Sequence, residues 1–293
     1  MTPATVPARP TDRLPRGASA GVPAPRTTSD APSGAGSGTG FDPGFDSPTD
    51  TLPLRPPPAL RTPGAAGSAS VRGLRRVAAD ATAVRGAGSG LALAVADGVG
   101  DSAAAALAAR VAADVAVAAA PRIGSMHALL AARDAVRLEP GAADAVMVVA
   151  AGLAGGGWTV SWVGDCRALL VTDRGVELLT HDHTVAQWLR DRGKDQDGTE
   201  IVPAWENIVM TTVGSVGPDT VGHARGPAGP GTLVLVSDGV HRTLDEETIA
   251  FLVRRAGAPA RASRDLVDAA LATGSHDNAS ATVVPLPEEW AAR

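Results

Sequence analysis

Apolar residues fall into short runs along the chain, and three of these runs end alike. "LALAVADG" (91–98) and "GTLVLVSDGV" (231–240) are strand-length, Val/Leu-rich stretches that close on Asp-Gly, and "WTVSWVGD" (158–165) also closes on an aspartate. Runs of this length and composition read as buried strands. Further strands are expected at 144–151, 167–172, 176–179 and 279–286, with 71–84 extended. The turns "AGGGW" and "TDRGV" join neighbouring strands as hairpins. Helical spacing predicts helices over 102–120, 125–137, 184–192, 244–256 and 260–273, with a polar loop reaching about 207. Strands therefore come in hairpin clusters separated by helices, which predicts an α+β layered fold with mainly antiparallel sheets.

The pattern is absent from the first part of the chain. Of the 23 prolines, 14 precede residue 70, and Gly, Ser and Thr fill much of the remainder. With little apolar surface to offset chain entropy, 1–69 is expected to be a disordered tail, and 70–288 a single folded domain. "GAGSGTG" (34–40) has a phosphate-loop look, but no strand precedes it and no helix follows, so it reads as linker. Phe41 and Phe45, two of the three phenylalanines, sit in the same tail. Chance accounts for them more readily than a docking motif.

Charge and cysteine content narrow the classes. Six Arg and five Asp up to residue 70 leave +1 there, so the body carries −6 of the chain's net −5. That sign argues against nucleic acid as a partner. The single Cys166 excludes an internal disulfide framework and suits a reducing compartment, which gives a cytoplasmic expectation. The N-terminus has no continuous apolar stretch of secretory type. The run 102–120 approaches a membrane span in length, but Arg110 and Asp114, four apart, can pair on one helix face, so a buried helix is expected and no span. Lys194 is the only lysine among 26 basic residues, a bias that points to a GC-rich coding sequence and a bacterial source.

The acids at the strand ends are the candidate chemistry. Asp-Gly between strands is often just a turn, yet helical sequence follows both Asp97-Gly98 and Asp238-Gly239, and Asp277 stands just before the last strand. If the strands lie side by side, Asp97, Asp165, Asp238 and Asp277 meet at one rim. Bare carboxylates so close raise one another's pKa, and divalent cations relieve that repulsion. Oxygen donors without a Cys or His cluster select Mg2+ or Mn2+ over zinc. Gly98 would let its carbonyl approach an ion unobstructed.

"VADGVGDS" (95–102), "VGDCRALL" (163–170), "LTHDHT" (179–184), "VSDGV" (236–240) and "DNASATVV" (277–284) together resemble, in order and spacing, the PPM-type (type 2C) metal-dependent serine/threonine protein phosphatases, bacterial branch. The resemblance covers roughly 71–286. It implies two antiparallel sheets packed as a sandwich between helices (α-β-β-α). It further implies that Asp97 bridges two Mn2+ or Mg2+ ions with the Gly98 carbonyl on the second, that Asp238 and Asp277 complete the first, and that Asp165 shares a weaker third ion with Asp238. The family's Arg-x-x-Asn-Glu-Asp motif reads "RRVAAD" (75–80) here, making Arg75 the clamp on the substrate phosphate and Asp80 its catalytic companion. The implied reaction is hydrolysis of phosphoserine and phosphothreonine proteins by a metal-bridging hydroxide attacking in line, by a monomer. No phosphoenzyme is needed, which leaves Cys166 as a small packed side chain.

Several positions depart from the family. Ala78 and Ala79 replace Asn and Glu, which removes a carboxylate that helps hold metal-bound water. Val99 stands where many eukaryotic members have histidine, and Asp101 replaces a common glycine and adds charge beside the site. His181 and His183 read as part of an exposed turn more readily than as a metal pair. The loop 193–207 falls where the family has its flap. Two other functions stay open: a catalytically weak or silent binding module, and a phosphatase for an anti-anti-sigma-type regulator.

Overall fold

The computed structural model describes residues 66–87, 90–153, 157–226 and 230–286. Most of the expected tail, with "GAGSGTG" and the two phenylalanines, lies outside them. One sheet contains, in spatial order, β1 (Gly67–Val71), β10 (Ala279–Leu286), β9 (Gly231–Val236), β6 (Arg167–Thr172) and β7 (Gly175–Leu178). The other contains β2 (Asp80–Ala87), β3 (Gly90–Gly98), β4 (Ala145–Gly152), β5 (Trp158–Val163) and β8 (Gly222–Arg225). Every neighbouring pair is antiparallel. The expected antiparallel sandwich between helices is what forms.

Strand β3 shows how the sequence builds the layers. Leu91, Leu93 and Val95 enter the core between the sheets with Trp158, Val160, Leu170, Leu233 and Leu235. The alternate residues Ala92, Ala94 and Ala96 face the helix α1 (Ala103–Leu138), whose own contact stripe is Ala108, Ala109, Ala112 and Ala116. Large residues fill the gap between sheets while alanines let helix and sheet approach closely. A one-residue slip would exchange the two sets, crowding Leu91, Leu93 and Val95 against α1 and leaving alanine-sized gaps between the sheets. Strand β9 repeats the device: Leu233 and Leu235 point between the sheets, and Val234 and Val236 point to α4 (Glu246–Ala256) and α5 (Pro259–Ala272).

The expected helices 102–120 and 125–137 meet end to end within α1, broken only at Gly124, whose φ of 78° lies in the left-handed region. The Ser102 hydroxyl caps the first turn by accepting from the Ala105 amide at 3.1 Å. By length and composition α1 is the one helix among the described residues apolar enough to cross a membrane, yet it spends that apolar face on the sheet. Arg110 and Asp114 both stand exposed.

Three expectations need correction. Strand β1 begins at Gly67, so residues 67–69 belong to a sheet and not to the tail. The segment 71–84 is not one extended piece; the chain leaves the sheet after Val71, loops through 72–79 and enters β2 at Asp80. Strand β8 was not foreseen, because "GHAR" is too short and polar to alternate visibly. The expected helix over 184–192 forms as α2 (Val185–Arg190), and the polar loop after it holds a 3-10 turn, Pro203–Asn207.

Candidate metal centre

Antiparallel pairing collects the strand-end acids at one rim. Strands β9 and β10 run in opposite directions, so Asp238 just past the end of one lies beside Asp277 just before the other. Asp80 and Asp97 are register partners across β2 and β3. Asp165 sits where the chain crosses from β5 in one sheet to β6 in the other. Asp97, Gly98, Asp165, Asp238 and Asp277, with Arg75, line a single cavity of about 440 Å³. Asp80 is not among the residues lining it and stands beside Asp97 on the neighbouring strand. It accepts a 2.7 Å hydrogen bond from the Ser237 hydroxyl of the opposite sheet, which ties the two sheets together at the rim.

Burial and mutual repulsion shape the electrostatics. Burial lifts Asp97 well above the usual carboxylate range, and the charges of Asp80, Asp238, Asp165 and Asp277 lift it further. Asp80 and Asp165 are each pushed up to about 6, mainly by burial and partly by Asp238. Asp238 is raised by burial as well, against the opposing pull of Arg242. One carboxylate oxygen of Asp80 and one of Asp238 are sealed from solvent with no hydrogen-bond partner. An uncompensated buried carboxylate oxygen is costly, and a divalent ion satisfies it. The donor set, all oxygen, fits Mn2+ or Mg2+.

Two arginines hold the same acids. Arg75 donates to Asp277 at 2.5 Å, and that hydrogen bond favours its charged form. Arg242 donates to Asp165 at 2.6 Å and lies 3.4 Å from Asp238. Among the described residues no three Asp, Glu, His or Cys side chains converge as they stand into a cage around one point. The carboxylates share one cavity while Asp277 and Asp165 lean toward their arginines.

The surrounding residues explain several motif positions. Asn278, buried, accepts from the Ala79 amide at 2.6 Å and donates to the carbonyls of Arg72 at 2.6 Å and Val77 at 3.1 Å. It thereby fastens the loop that presents Arg75. Asp101 does not add free charge to the site; it accepts from the Arg76 and Val77 amides at 3.1 and 2.8 Å and from the Arg76 side chain. Ala79 is buried against Ala105 and Ala106. Gly98 and Gly239 have a packing reason beside any ligand role: a Cβ at either would run into backbone, at Ala105 and Asn278 respectively. Cys166 is buried in the core between the sheets, and burial pushes its thiol well up. His181 bonds Asp191 at 2.9 Å, and the His183 ring lies 6.2 Å from that of Trp162. Asp182 between them takes a two-pronged bond from Arg167 at 3.0 and 2.8 Å. The end of the polar loop 193–207 reaches the site, with Asn207 and, just beyond it, Val209 lining the cavity.

Sequence reasoning missed Arg242 and Asn278. The spacing of Arg242, one helical turn after Asp238, was the available signal. Asn278 stands inside the motif "DNASATVV", but nothing local gave it a role, because its partners lie about two hundred residues away.

Among the described residues, two five-stranded antiparallel sheets thus lie between helices, with an acid-lined cleft at one rim. The family model described as "Protein phosphatase 2C" matches residues 205–279. Among solved structures, the PPM Ser-Thr phosphatase MsPP from Mycobacterium smegmatis, in complex with cacodylate, is 28% identical with a TM-score of 0.62, covering 78% of this chain and 100% of that one. The Mycobacterium tuberculosis serine/threonine phosphatase PstP/Ppp is 26% identical at TM-score 0.61, covering 76% and 98%. The catalytic domain of PstP in complex with two manganese ions is 25% identical at TM-score 0.60, covering 78% and 100%. No curated protein sequence matches the chain. By family model over residues 205–279 and by fold over most of its length, the chain is similar to PPM-type (type 2C) serine/threonine phosphatases.

Proposed function

We propose that this chain removes phosphate from phosphoserine and phosphothreonine proteins in a reaction that depends on divalent metal, Mn2+ or Mg2+. The observation that carries the reading is the crowding of Asp97 and Asp238 in one cavity with an unpartnered oxygen on Asp238. Asp97, Asp238 and Asp277 would hold the ions together with the Gly98 carbonyl. Bound there, a pair of divalent ions supplies an ionised water near neutral pH and neutralises charge on the phosphoryl group.

The chain's own residues do the rest. Arg75, half-exposed at the mouth, carries a planar guanidinium matched to two phosphate oxygens. Its present partner Asp277 is itself a proposed ligand, so ion binding at Asp277 would leave Arg75 free for the substrate. Asn278 holds the 72–79 loop so that Arg75 stays over the cavity. Asp80 and Ser237 fix the backing of Asp97. No residue here forms a bond to phosphorus, and buried Cys166 is inaccessible.

A second reading, a weakened catalyst acting by binding, draws on the buried Ala79, which leaves that side of the cavity without the family's carboxylate. One assay separates them: a phosphothreonine peptide incubated with Mn2+, with Mg2+ and with chelator. Turnover with metal that chelator abolishes is expected; turnover unaffected by chelator contradicts the reading, and none under any condition favours the binding module.

A further inference from the structure

Arg242 follows Asp238 by four residues, at the end of the one-turn helix α3 (Asp238–His241), so both side chains project from one face. Its guanidinium donates to Asp165 at 2.6 Å, lies 3.4 Å from the Asp238 carboxylate, and donates to the Glu206 carbonyl at the end of the flap at 2.9 Å. The preceding residue, His241, grips the same aspartate from the other side, with Nε2 donating to the Asp165 carbonyl at 2.9 Å. Asp165 is buried, and the Arg242 side chain is only 28% exposed. A carboxylate this enclosed needs a positive partner. Arg242 is that partner, and it lies between the two acids that the resemblance assigns to a weaker third ion.

We infer that Arg242 is a tethered cation standing in the third-ion position, so that this phosphatase works with two exchangeable ions and pins its flap to Asp165 through the same side chain. Resting on the metal-dependent reading above, the inference makes Arg242 a positioning residue. A divalent ion between Asp165 and Asp238 would meet a fixed positive charge and would have to displace hydrogen bonds to a carboxylate and a carbonyl together. The Glu206 side chain is in turn paired with Arg190 on α2, so the grip reaches from the acid rim through the flap to its supporting helix.

The test is Mn2+ stoichiometry by equilibrium dialysis on the full chain, for wild type, Arg242→Gln and Arg242→Lys, with thermal unfolding as the folding control. Wild type is expected to saturate at about two ions per chain. Arg242→Gln is expected to take up one more with weaker affinity, and Arg242→Lys, which keeps a cation, to stay with wild type. A third ion in wild type, or none gained in a folded Arg242→Gln, overturns the inference and leaves the phosphatase reading standing. No uptake by wild type overturns both. If Arg242→Gln does not fold, Asp165→Asn decides: an unchanged count supports the tethered cation, and a lost ion overturns it.

Discussion

Asp80 and Asp97 face each other in register across β2 and β3, two carboxylates paired on adjacent strands at the rim of the sandwich. Like charges directly opposite destabilise a strand pair, so this chain keeps an unfavourable contact where its sheets converge. The simplest physical reason is a cation that offsets it.

That contact gives a pH dependence with a definite sign. Asp80 and Asp165, raised by burial to about 6, bind protons in the folded chain that the unfolded chain releases near 3.8. Metal-free protein should therefore lose stability as pH rises from about 4 to about 6, on the order of 3 kcal/mol per fully expressed group. Mn2+ should reverse the loss above pH 6. Chemical denaturation at a series of pH values, with chelator and with Mn2+, checks this; stability rising through that window without metal would count against the electrostatic account.

Asn278→Ala removes three bonds to the 72–79 loop and leaves a buried amide and two carbonyls unpaired. We expect a loss of about 2–4 kcal/mol, since each unpaired buried group costs about 1–3 kcal/mol and the loop can relax toward solvent. Because the loop presents Arg75, KM for a phosphopeptide should rise even where the fold survives. Denaturation midpoints and steady-state kinetics read the two effects separately. Full stability would show that the loop does not depend on Asn278.

Gly239→Ala places a methyl against the Asn278 carbonyl, and only a backbone shift makes room. The expected cost is about 1–3 kcal/mol, or roughly 2–4 °C of melting temperature per kcal/mol for a domain of this size. Gly100→Ala is the contrast on chain geometry alone: its φ of 104° disfavours alanine, but no atom stands within 4 Å of the added carbon. The melting curve of Gly239→Ala should stay depressed with and without Mn2+. If metal restored it fully, the glycine would matter through ligation and not packing.

The layers were legible because two-residue alternation in "LALAV" and "TLVLV" states which face meets a sheet and which meets a helix. The rim was legible because apolar runs stopping on aspartate are an odd way to finish a buried strand. What escaped was set by contacts between distant segments. Asn278 looks like any polar residue before a strand until the 72–79 loop is laid against it, and Asp101 looks like surplus charge until the amides of Arg76 and Val77 are seen to use it. Arg242 escaped for a local reason: its four-residue step from Asp238 is a signal only if helix follows the strand at once, and the one-turn helix α3 is too short to show a period. β8 pairs along β5 with a sequence that offers no alternation to read.

Substitution of Arg75 separates clamp from scaffold. Its bond to Asp277 is half-exposed, so Arg75→Ala should change stability by no more than about 1 kcal/mol. Loss of a bidentate phosphate contact should still lower kcat/KM by roughly 10- to 100-fold, the equivalent of 1.5–3 kcal/mol. Arg75→Lys should recover only part of it, because an ammonium cannot make the planar two-point contact. Phosphopeptide kinetics beside thermal melts test this; equal kcat/KM in Arg75→Ala would remove Arg75 from substrate binding.

The most direct test of the acid rim is titration calorimetry of Mn2+ into metal-free wild type and Asp97→Asn in buffers of different ionisation enthalpy. Because Asp97 holds its proton far above the usual range, wild type should take up ions with measurable proton release, while Asp97→Asn should bind at least tenfold more weakly with less release. Equal uptake by the two proteins, or none by wild type, would contradict the claim that these strand-end carboxylates are a metal centre.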